Sequence, residues 1–270
     1  MRAMCASVPS SDMIVHAWDE ISAAYQTRYS VPVTDIEYGP MAGGERRHGL
    51  LGSLRGKSVL DVGCGGGQNA IACALAGAAR VVAIDPSGEQ ITFARRLAAE
   101  HDVRLELHQL GAQALATIHG PFDVVLSCYA LMFVEAIGPV FAEFFRLLEP
   151  GGVFITSVDH PFRLAGEWQE DEHFVIRNYF EEGWQSWRYE FPESARAVTM
   201  FRYHRTIESW VRTVCSAGLT LTHVLEPFPP EAPDSYGRFS KHGVDNPRNV
   251  FARQKLCRVP GTLILRGVRP

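Results

Sequence analysis

One acidic residue and three glycines stand at alternating positions after a short apolar run. The stretch VLDVGCGGG contains Asp61, Gly63, Gly65 and Gly67. Because glycine has no Cβ, the backbone of such a loop can approach a bound molecule closely. The Asp61 carboxylate can accept hydrogen bonds from an ammonium group, whereas its charge is unfavourable beside a pyrophosphate. The pattern therefore predicts a loop that binds a ligand carrying an ammonium group.

A dinucleotide is disfavoured by the spacing of these glycines. The dinucleotide fingerprint is G-x-G-x-x-G, and its third glycine lets the following helix pack close to the strand. Gly63 and Gly65 fit this fingerprint, but Gln68 stands at its third position. We therefore do not expect an NAD-linked enzyme.

A second acid ends the next apolar run, VVAIDPS, at Asp85. A carboxylate at the end of a strand can accept two charge-assisted hydrogen bonds from the two hydroxyls of a ribose. The simpler interpretation of Asp85 is an acid near the N-terminus of a helix. Taken with the glycine loop, it indicates a nucleoside-containing ligand.

The elements that must position these residues alternate between strand and helix. Apolar runs at residues 58–62, 80–84, 104–108, 122–127 and 152–158 predict strands, and helices are predicted at residues 68–76, 87–100 and 136–148. This alternation is typical of a doubly wound, Rossmann-like α/β fold with a mostly parallel sheet. A helix at residues 209–217 and strands at 219–225 and 262–265 bring the sheet to seven strands. The connection between these last two strands is either a binding loop or locally disordered.

Two segments lie outside this alternation. Residues 12–29 place Ile14, Trp18, Ile21 and Tyr25 on one face of a predicted helix, which we interpret as a lid. Residues 159–206 contain aromatic runs at 173–180, 186–191 and 199–205, with a turn predicted at 181–183 between the first two. We interpret this part as an antiparallel insertion that caps a substrate.

Composition narrows the function further. The chain is 46% hydrophobic and 21% charged with a net charge of -4, and it has no long basic run, so a nucleic-acid partner is not expected. No segment has the roughly 20 apolar residues of a membrane span, and no secretory signal is recognisable. The six cysteines form no C-x-x-C pair and the histidines no ligand spacing, so no metal site is expected. These features indicate a cytoplasmic protein, and they leave open whether it forms a homodimer.

Four motifs in order resemble the class I S-adenosylmethionine-dependent methyltransferases. They are the glycine loop, VVAIDPS, FDVVLSCYALMFV and RLLEPGGVFI, which together span roughly residues 55–158. The resemblance implies S-adenosylmethionine as cofactor. It also implies a set of cofactor-binding residues: Tyr38, Asp61, Gly63, Gly65, Gly67, Asp85, Pro86, Gln90, Ala112, Gln113 and Cys128. The family often has Asp-Ala after the third strand, where this chain has Gly111-Ala112, so adenine recognition would rest on backbone groups or Gln113.

Residues for the methyl acceptor are expected at the carboxyl end of the sheet. His160 follows the fifth strand, where it either acts as an acid-base group or only bonds the loop backbone before Pro161. Tyr129 either lines the cleft or packs in the core, and Tyr25 joins these two as a candidate catalytic residue. Candidate substrate-binding residues are Trp18, Phe133, Tyr179, Trp184, Trp187 and His204.

The sequence thus predicts four regions and one activity. A lid at residues 1–55, a cofactor-binding core at 56–158, a capping insertion at 159–206 and the rest of the sheet at 207–270 would form a methyltransferase. Its acceptor would be a small, partly apolar molecule methylated on nitrogen, oxygen or an electron-rich aromatic carbon, in bacterial specialised metabolism. The alternative is a protein that binds S-adenosylmethionine without turnover.

Overall fold

The computed structural model describes residues 8–29, 31–170, 172–191, 196–231 and 251–270. Helices in these residues are α1 (Ser11–Arg28), α2 (Glu45–His48), α3 (Gln68–Leu75), α4 (Gly88–Glu100), α5 (Ile137–Leu147), α6 (Pro161–Leu164), α7 (Ile207–Ser216) and α8 (Arg253–Leu256), with 3-10 turns at Ala112–Thr117 and Leu131–Phe133. Strands are β1 (Ser58–Val62), β2 (Arg80–Asp85), β3 (Glu106–Gln109), β4 (Phe122–Cys128), β5 (Leu148–Asp159), β6 (Gly166–Trp168), β7 (Phe174–Ile176), β8 (Gly183–Glu190), β9 (Ala197–His204), β10 (Thr220–Leu225) and β11 (Thr262–Val268).

A seven-stranded sheet with the order β10-β11-β5-β4-β1-β2-β3 forms the centre of the fold. Strands β3, β2, β1, β4 and β5 are parallel, whereas β11 is antiparallel to β5 and β10 is antiparallel to β11. This arrangement confirms the predicted doubly wound, mostly parallel fold. The chain runs outward in one direction from β1 and in the other from β4, so a crevice forms at the carboxyl ends of these two strands.

Helices cover both faces of the sheet, which explains the nearly continuous apolar strands. One face packs Leu60 and Val125 against Phe141, Phe144 and other residues of α5 and α7. The opposite face buries a second set of side chains, including Val59, Val81, Val124 and Cys73 of α3. The central strands are therefore rigid supports for the residues that follow them.

Helix α1 begins one residue earlier than the sequence indicates, because the hydroxyl of Ser10 accepts a hydrogen bond from the amide of Met13. Its buried residues Ala17 and Ile21 pack against Tyr189, Val198 and Met200 of the β8–β9 hairpin. The N-terminal helix and the insertion thus share an apolar contact outside the central sheet.

The insertion is antiparallel as predicted, but the predicted pairing is wrong. Strand β6 pairs with β7, and β8 pairs with β9, so residues 181–183 do not join two paired strands. Cross-strand ring contacts explain the observed choice: Trp168 meets Phe174 at 5.2 Å, and Trp184 meets Tyr203 at 5.4 Å between ring centroids. Rich aromatic content favoured strands without specifying which strands pair.

The long connection between β10 and β11 is only partly described. The predicted binding loop or disordered segment falls largely on residues 232–250, outside the described residues. Within the described part of the chain, no helix combines the length and apolarity that crossing a membrane requires.

Candidate cofactor and acceptor site

The glycine loop leaves β1 in a tight turn. The amides of Gly63 and Cys64 both donate to the carbonyl of Ile84, at 2.8 Å and 2.9 Å. A Cβ on Gly63 would lie 2.2 Å from the Cβ of Ala130, so only glycine fits there. Gly65 has a φ of 53° and its hypothetical Cβ meets nothing closer than 3.9 Å, so its backbone faces open space.

That open space is a cavity of about 310 Å³ at the carboxyl ends of β1, β2 and β4. Its wall is formed by one face of α1, the glycine loop, the segment after β2, residues 111–113 and the segment after β4. Predicted site residues in this wall are Trp18, Tyr25, Asp61, Gly63, Gly65, Asp85, Pro86, Gln90, Ala112, Gln113, Cys128, Tyr129 and Phe133.

Asp61 is a buried carboxylate with an unpaired oxygen. Its side chain is 2% exposed, and its Oδ2 has no hydrogen-bond partner among the described residues. Burial, followed by the charge of Asp85, raises the pKa of Asp61 to about 7, although a hydrogen bond from the Ala70 amide opposes this. A cation at Oδ2 would satisfy both the charge and the missing hydrogen bond, so Asp61 fits the ammonium group of a methionyl cofactor.

Asp85 presents both carboxylate oxygens at the cavity. Its Oδ2 accepts a hydrogen bond from the amide of Gly65 and its Oδ1 one from the amide of Ser87, each at 2.9 Å. Each oxygen retains a free lone pair, which is what a ribose diol requires. Burial raises the pKa of Asp85 to about 6, and the two amides oppose that rise.

The wall around residues 111–113 has the composition that the sequence indicated for an adenine site. Gly111, Ala112 and Gln113 lie in the wall together with Pro86. Backbone groups and the Gln113 amide are therefore available to a base, and no carboxylate stands among these four residues.

Three aromatic side chains form a continuous strip of the wall. Trp18 of α1 contacts Tyr25 at 5.3 Å and Phe133 at 5.2 Å between ring centroids, both edge to face. All three residues line the cavity. This strip, which we call the aromatic wall, lies on the side of the cavity that α1 covers.

Hydrogen bonds fasten α1 over the cavity. The Gln26 side-chain amide donates to Oε1 of Gln90 at 2.7 Å and accepts from Nε2 of Gln68 at 2.6 Å. About two turns earlier on α1, Oδ1 of Asp19 accepts a 2.5 Å hydrogen bond from the Ser87 hydroxyl. The helix is thus tied to both the glycine loop and the start of α4.

Tyr129 lines the cavity with its ring, while its hydroxyl is held elsewhere. The hydroxyl lies 2.6 Å from Oγ1 of Thr262 in β11. The residue has a φ of 58°, a left-handed conformation that is uncommon for a bulky side chain. Its ring also excludes any side chain at Gly39, where a Cβ would lie 2.1 Å from Cε2. Tyr129 therefore offers the cavity a fixed aromatic surface.

His160 does not line the cavity, contrary to its predicted acid-base role. The side chain is fully buried, with Nε2 at 2.7 Å from Oε1 of Glu226 and Nδ1 accepting from the amide of Phe162. Burial lowers the pKa of this imidazole, against the opposing effect of Glu226. Nδ1 thus caps the start of α6 while Nε2 is held by Glu226, which agrees with a structural role for this residue.

Tyr38 and Gly67 are also displaced from their expected cofactor contacts. The buried hydroxyl of Tyr38 donates to Oε2 of Glu45 at 2.5 Å, so it anchors the loop instead. A Cβ on Gly67 would lie 2.8 Å from the Cβ of Ala94, so this glycine allows α3 and α4 to pack closely.

The four substrate candidates in the insertion and its flanks lie outside the cavity wall. Tyr179 accepts a hydrogen bond at its hydroxyl from the amide of Ile207, and its carbonyl lies 2.9 Å from Nε2 of His204. Trp184 donates to Glu135 at 3.3 Å. Trp187 lies beneath the guanidinium of Arg202, which is 5.2 Å from the ring centroid. The contacts of Tyr179 with Ile207 and of Trp184 with Glu135 fasten the insertion to the core, and the other two lie within the insertion, so direct binding of the acceptor by these side chains is not supported.

Comparison with known proteins matches this architecture. A family model described as a methyltransferase domain matches residues 59–152, which contain the glycine loop, Asp85 and the segment after β4. The structure of an S-adenosylmethionine-dependent methyltransferase from Mesorhizobium loti superposes with a TM-score of 0.62, at 25% identity over 82% of this chain and 95% of that one. Residues 59–152 therefore form a methyltransferase domain, and the fold is that of the class I S-adenosylmethionine-dependent methyltransferases.

Curated relatives of this methyltransferase include ubiquinone biosynthesis O-methyltransferases. That of Nitrosococcus oceani is 29% identical over 64% of this chain and 76% of its own length. That of Sodalis glossinidius is 39% identical, but over only 40% of this chain and 44% of its own length. The cofactor, S-adenosylmethionine, is the one named for the similar solved structure.

Sequence reasoning missed several residues that shape the methyltransferase site. Gln68 attracted notice only as a missing glycine, whereas it holds Gln26 of α1. Gln26 immediately follows Tyr25 on the same predicted helix, and this adjacency was the available signal. Asp19 gave no such signal, because its partner Ser87 is distant in the sequence.

Proposed function

We propose that this methyltransferase transfers a methyl group to a small-molecule acceptor that binds against the aromatic wall. The observation that carries the proposal is the position of Trp18, Tyr25 and Phe133, which share one cavity with the glycine loop and Asp85. Apolar and aromatic walls with a few fixed polar groups are typical of small-molecule sites. The acceptor atom is nitrogen, oxygen or an electron-rich aromatic carbon, and the setting is bacterial specialised metabolism.

In this proposal the polar groups of the cavity hold the cofactor. Asp61 binds its ammonium group, Asp85 its ribose hydroxyls, and the backbone around Gly65 accommodates the chain between them. The rest of the cofactor is surrounded by Pro86, Ala112, Gln113 and Cys128. Gln90 contributes by holding helix α1 in place through its hydrogen bond with Gln26. S-adenosylmethionine supplies a methyl group on a sulfonium, whose transfer is an in-line displacement.

The protein contributes orientation and exclusion of water to that displacement. The fixed ring of Tyr129 limits how an acceptor can lie, and Tyr25 brings a hydroxyl to the same wall. Helix α1 acts as the lid within the predicted segment 1–55. The insertion acts as a cap through α1, since Tyr189, Val198 and Met200 press on the outer face of that helix.

The test measures binding and turnover separately on the full chain. Calorimetry with S-adenosylmethionine establishes cofactor binding, and mass spectrometry of a panel of amines, phenols and indoles detects the gain of one methylene unit. A methylated panel member accompanied by demethylated cofactor confirms the proposal. If the cofactor binds and no acceptor of any kind is methylated, the alternative of a binding protein without turnover replaces it.

A further inference from the structure

We propose that the acceptor atom is an uncharged nitrogen and that the product leaves the site as an ammonium cation. This inference rests on the proposed function, since it assumes that a small acceptor binds against the aromatic wall. Three features of the described residues carry it: the sign of the charges in the cavity, the placement of bases and the aromatic wall itself.

The charged side chains in the cavity wall are carboxylates. Asp61 and Asp85 both line it, and none of the described residues in the wall is lysine, arginine or histidine. The described wall therefore offers an anionic acceptor, such as a phenolate or a carboxylate, no cationic side chain to pair with. A neutral molecule needs no such partner.

The nearest arginines of the insertion are committed to other groups. Arg163 and Arg202 both pair with the buried carboxylate of Asp159. Arg205 donates to the carbonyl oxygens of Val134 and Glu135. Each of these cations therefore fastens the insertion to the core, and none lines the cavity.

Among the described residues of the wall, no histidine is present to remove a proton from a hydroxyl. His160 is buried outside the wall with both ring nitrogens engaged, and the Tyr129 hydroxyl is held by Thr262. Asp61 is paired when an ammonium group occupies it. A hydroxyl acceptor needs its proton removed during the reaction, whereas a neutral amine already exposes a lone pair.

Methylation of a neutral amine leaves a positive charge on the product, and the aromatic wall can stabilise that charge. The nitrogen lone pair forms the new N–C bond, the C–S bond breaks with its electron pair going to sulfur, and the positive charge moves from sulfur to nitrogen. Aromatic faces attract a cation, and the attraction is strongest when water is excluded. The rings of Trp18, Tyr25 and Phe133 therefore stabilise the charge both before and after transfer.

The test uses isosteric probes on the protein saturated with S-adenosylhomocysteine. Benzyltrimethylammonium, its neutral isostere neopentylbenzene and the anion phenylacetate are compared by competition titration. We expect the ammonium to bind about tenfold more tightly than the isostere, and phenylacetate to bind most weakly. Equal or tighter binding of either other probe, or no binding of the ammonium, overturns the proposal.

Two variants test whether the aromatic wall is the source of the tighter binding of the ammonium probe. Trp18→Leu should bring the ammonium and its isostere to similar affinity, whereas Trp168→Leu, at a tryptophan that packs on Phe174 outside the cavity, should leave the ratio unchanged. If Trp18→Leu retains the full preference, the aromatic wall is not its source. Enzymatic turnover of a phenol or carboxylate would overturn the nitrogen assignment while leaving the small-molecule function intact, whereas exclusive turnover of a macromolecule would overturn both.

Discussion

The buried carboxylate of Asp61 lowers the stability of the folded protein when it is ionised, and it is the group that we expect to bind the ammonium group of the cofactor. Its carboxylate is buried with one oxygen unpaired, and its pKa is raised to about 7 by burial and by Asp85. A raised pKa in the folded state means that folding takes up a proton between the ordinary aspartate pKa and about 7. The contribution of this group to stability is therefore lost as the pH rises through that range.

The variant Asp61→Asn should separate the effect of this residue on folding stability from its effect on cofactor affinity. At pH 8 it removes a buried charge, so the free energy of unfolding of the cofactor-free protein should rise by roughly 1–2 kcal/mol. The same change removes the charge-assisted partner of the ammonium group, and cofactor affinity should fall 10- to 100-fold. Denaturant unfolding and calorimetry measure the two quantities. A destabilised variant, or one with unaltered affinity, would contradict this account of Asp61.

The affinity for S-adenosylmethionine should depend on pH around the raised pKa values. Binding of an ammonium group requires the ionised form of Asp61, whose pKa is about 7 without ligand. Below that pH a proton must be released on binding, so affinity should fall up to about tenfold per pH unit. Calorimetry from pH 5.5 to 8.5 in buffers of different ionisation enthalpy measures both the affinity and the proton release. Affinity independent of pH across this range would exclude the role.

Tyr38 differs from Asp61 because its hydrogen-bond partner lies within the protein. Its hydroxyl donates to Glu45, which also accepts hydrogen bonds from the amides of Leu50 and Leu51. Tyr38→Phe should lower the free energy of unfolding by about 1 kcal/mol and leave cofactor affinity unchanged. Thermal unfolding and cofactor titration are the measurements. A selective loss of affinity would return Tyr38 to the cofactor site.

At the scale of elements, α1 is held by side chains that also form the cavity wall. Gln68 and Gln90 line the cavity and both bond Gln26. We propose that a cofactor bound in the cavity leaves only after this bridge opens. Closure of α1 and retention of the cofactor would then be coupled through three amide side chains.

The variant Gln26→Leu should speed release of the cofactor product. It removes both hydrogen bonds while keeping a side chain of similar size, so we expect about a tenfold higher dissociation rate for S-adenosylhomocysteine. The association rate and the midpoint of unfolding should change little. Stopped-flow competition measures both rates. Thr27→Val, at an exposed neighbour on α1, is the matched control, and equal behaviour of the two variants would rule out the bridge.

Elements defined by a local sequence pattern were predictable, whereas features that depend on contacts between residues distant in the sequence were not. Strands β1, β2 and β4 were recognisable because burial on both faces leaves a continuous apolar run. The pairing of β6 with β7 and of β8 with β9 depends on ring contacts between strands, which runs of aromatic residues alone do not encode. The structural role of His160 was equally hidden, since its partner Glu226 is 66 residues away.

At the scale of the whole molecule, one wall of the cavity belongs to the central sheet and the opposite wall belongs to helix α1. Asp61, Asp85 and Cys128 stand at or next to the carboxyl ends of adjacent buried strands, so their relative positions are fixed by the sheet. The opposite wall comes from α1, which depends on contacts with α4 and with the β8–β9 hairpin. More of the residues predicted for the cofactor than of those predicted for the acceptor therefore line the cavity.

Hydrogen exchange should reveal this division. We expect the amides of β1 and β4 to be strongly protected with or without S-adenosylmethionine, because they lie at the centre of the sheet. Amides of α1 should exchange faster in the free protein and become more protected when the cofactor binds. Deuterium uptake followed by mass spectrometry resolves both segments. Uniform protection of α1 and β1 in the free protein would indicate that the helix does not open independently.

The aromatic wall draws two of its three rings from one continuous helix of 18 residues. The residues proposed to bind the cofactor, by contrast, follow the strands of the core. We therefore propose that acceptor choice can be changed by substitutions along a single face of this helix. Grafting alternative sequences onto residues 11–28, with Asp19 and Gln26 retained as fasteners, offers a direct route to methyltransferases that share one cofactor chemistry and accept different molecules.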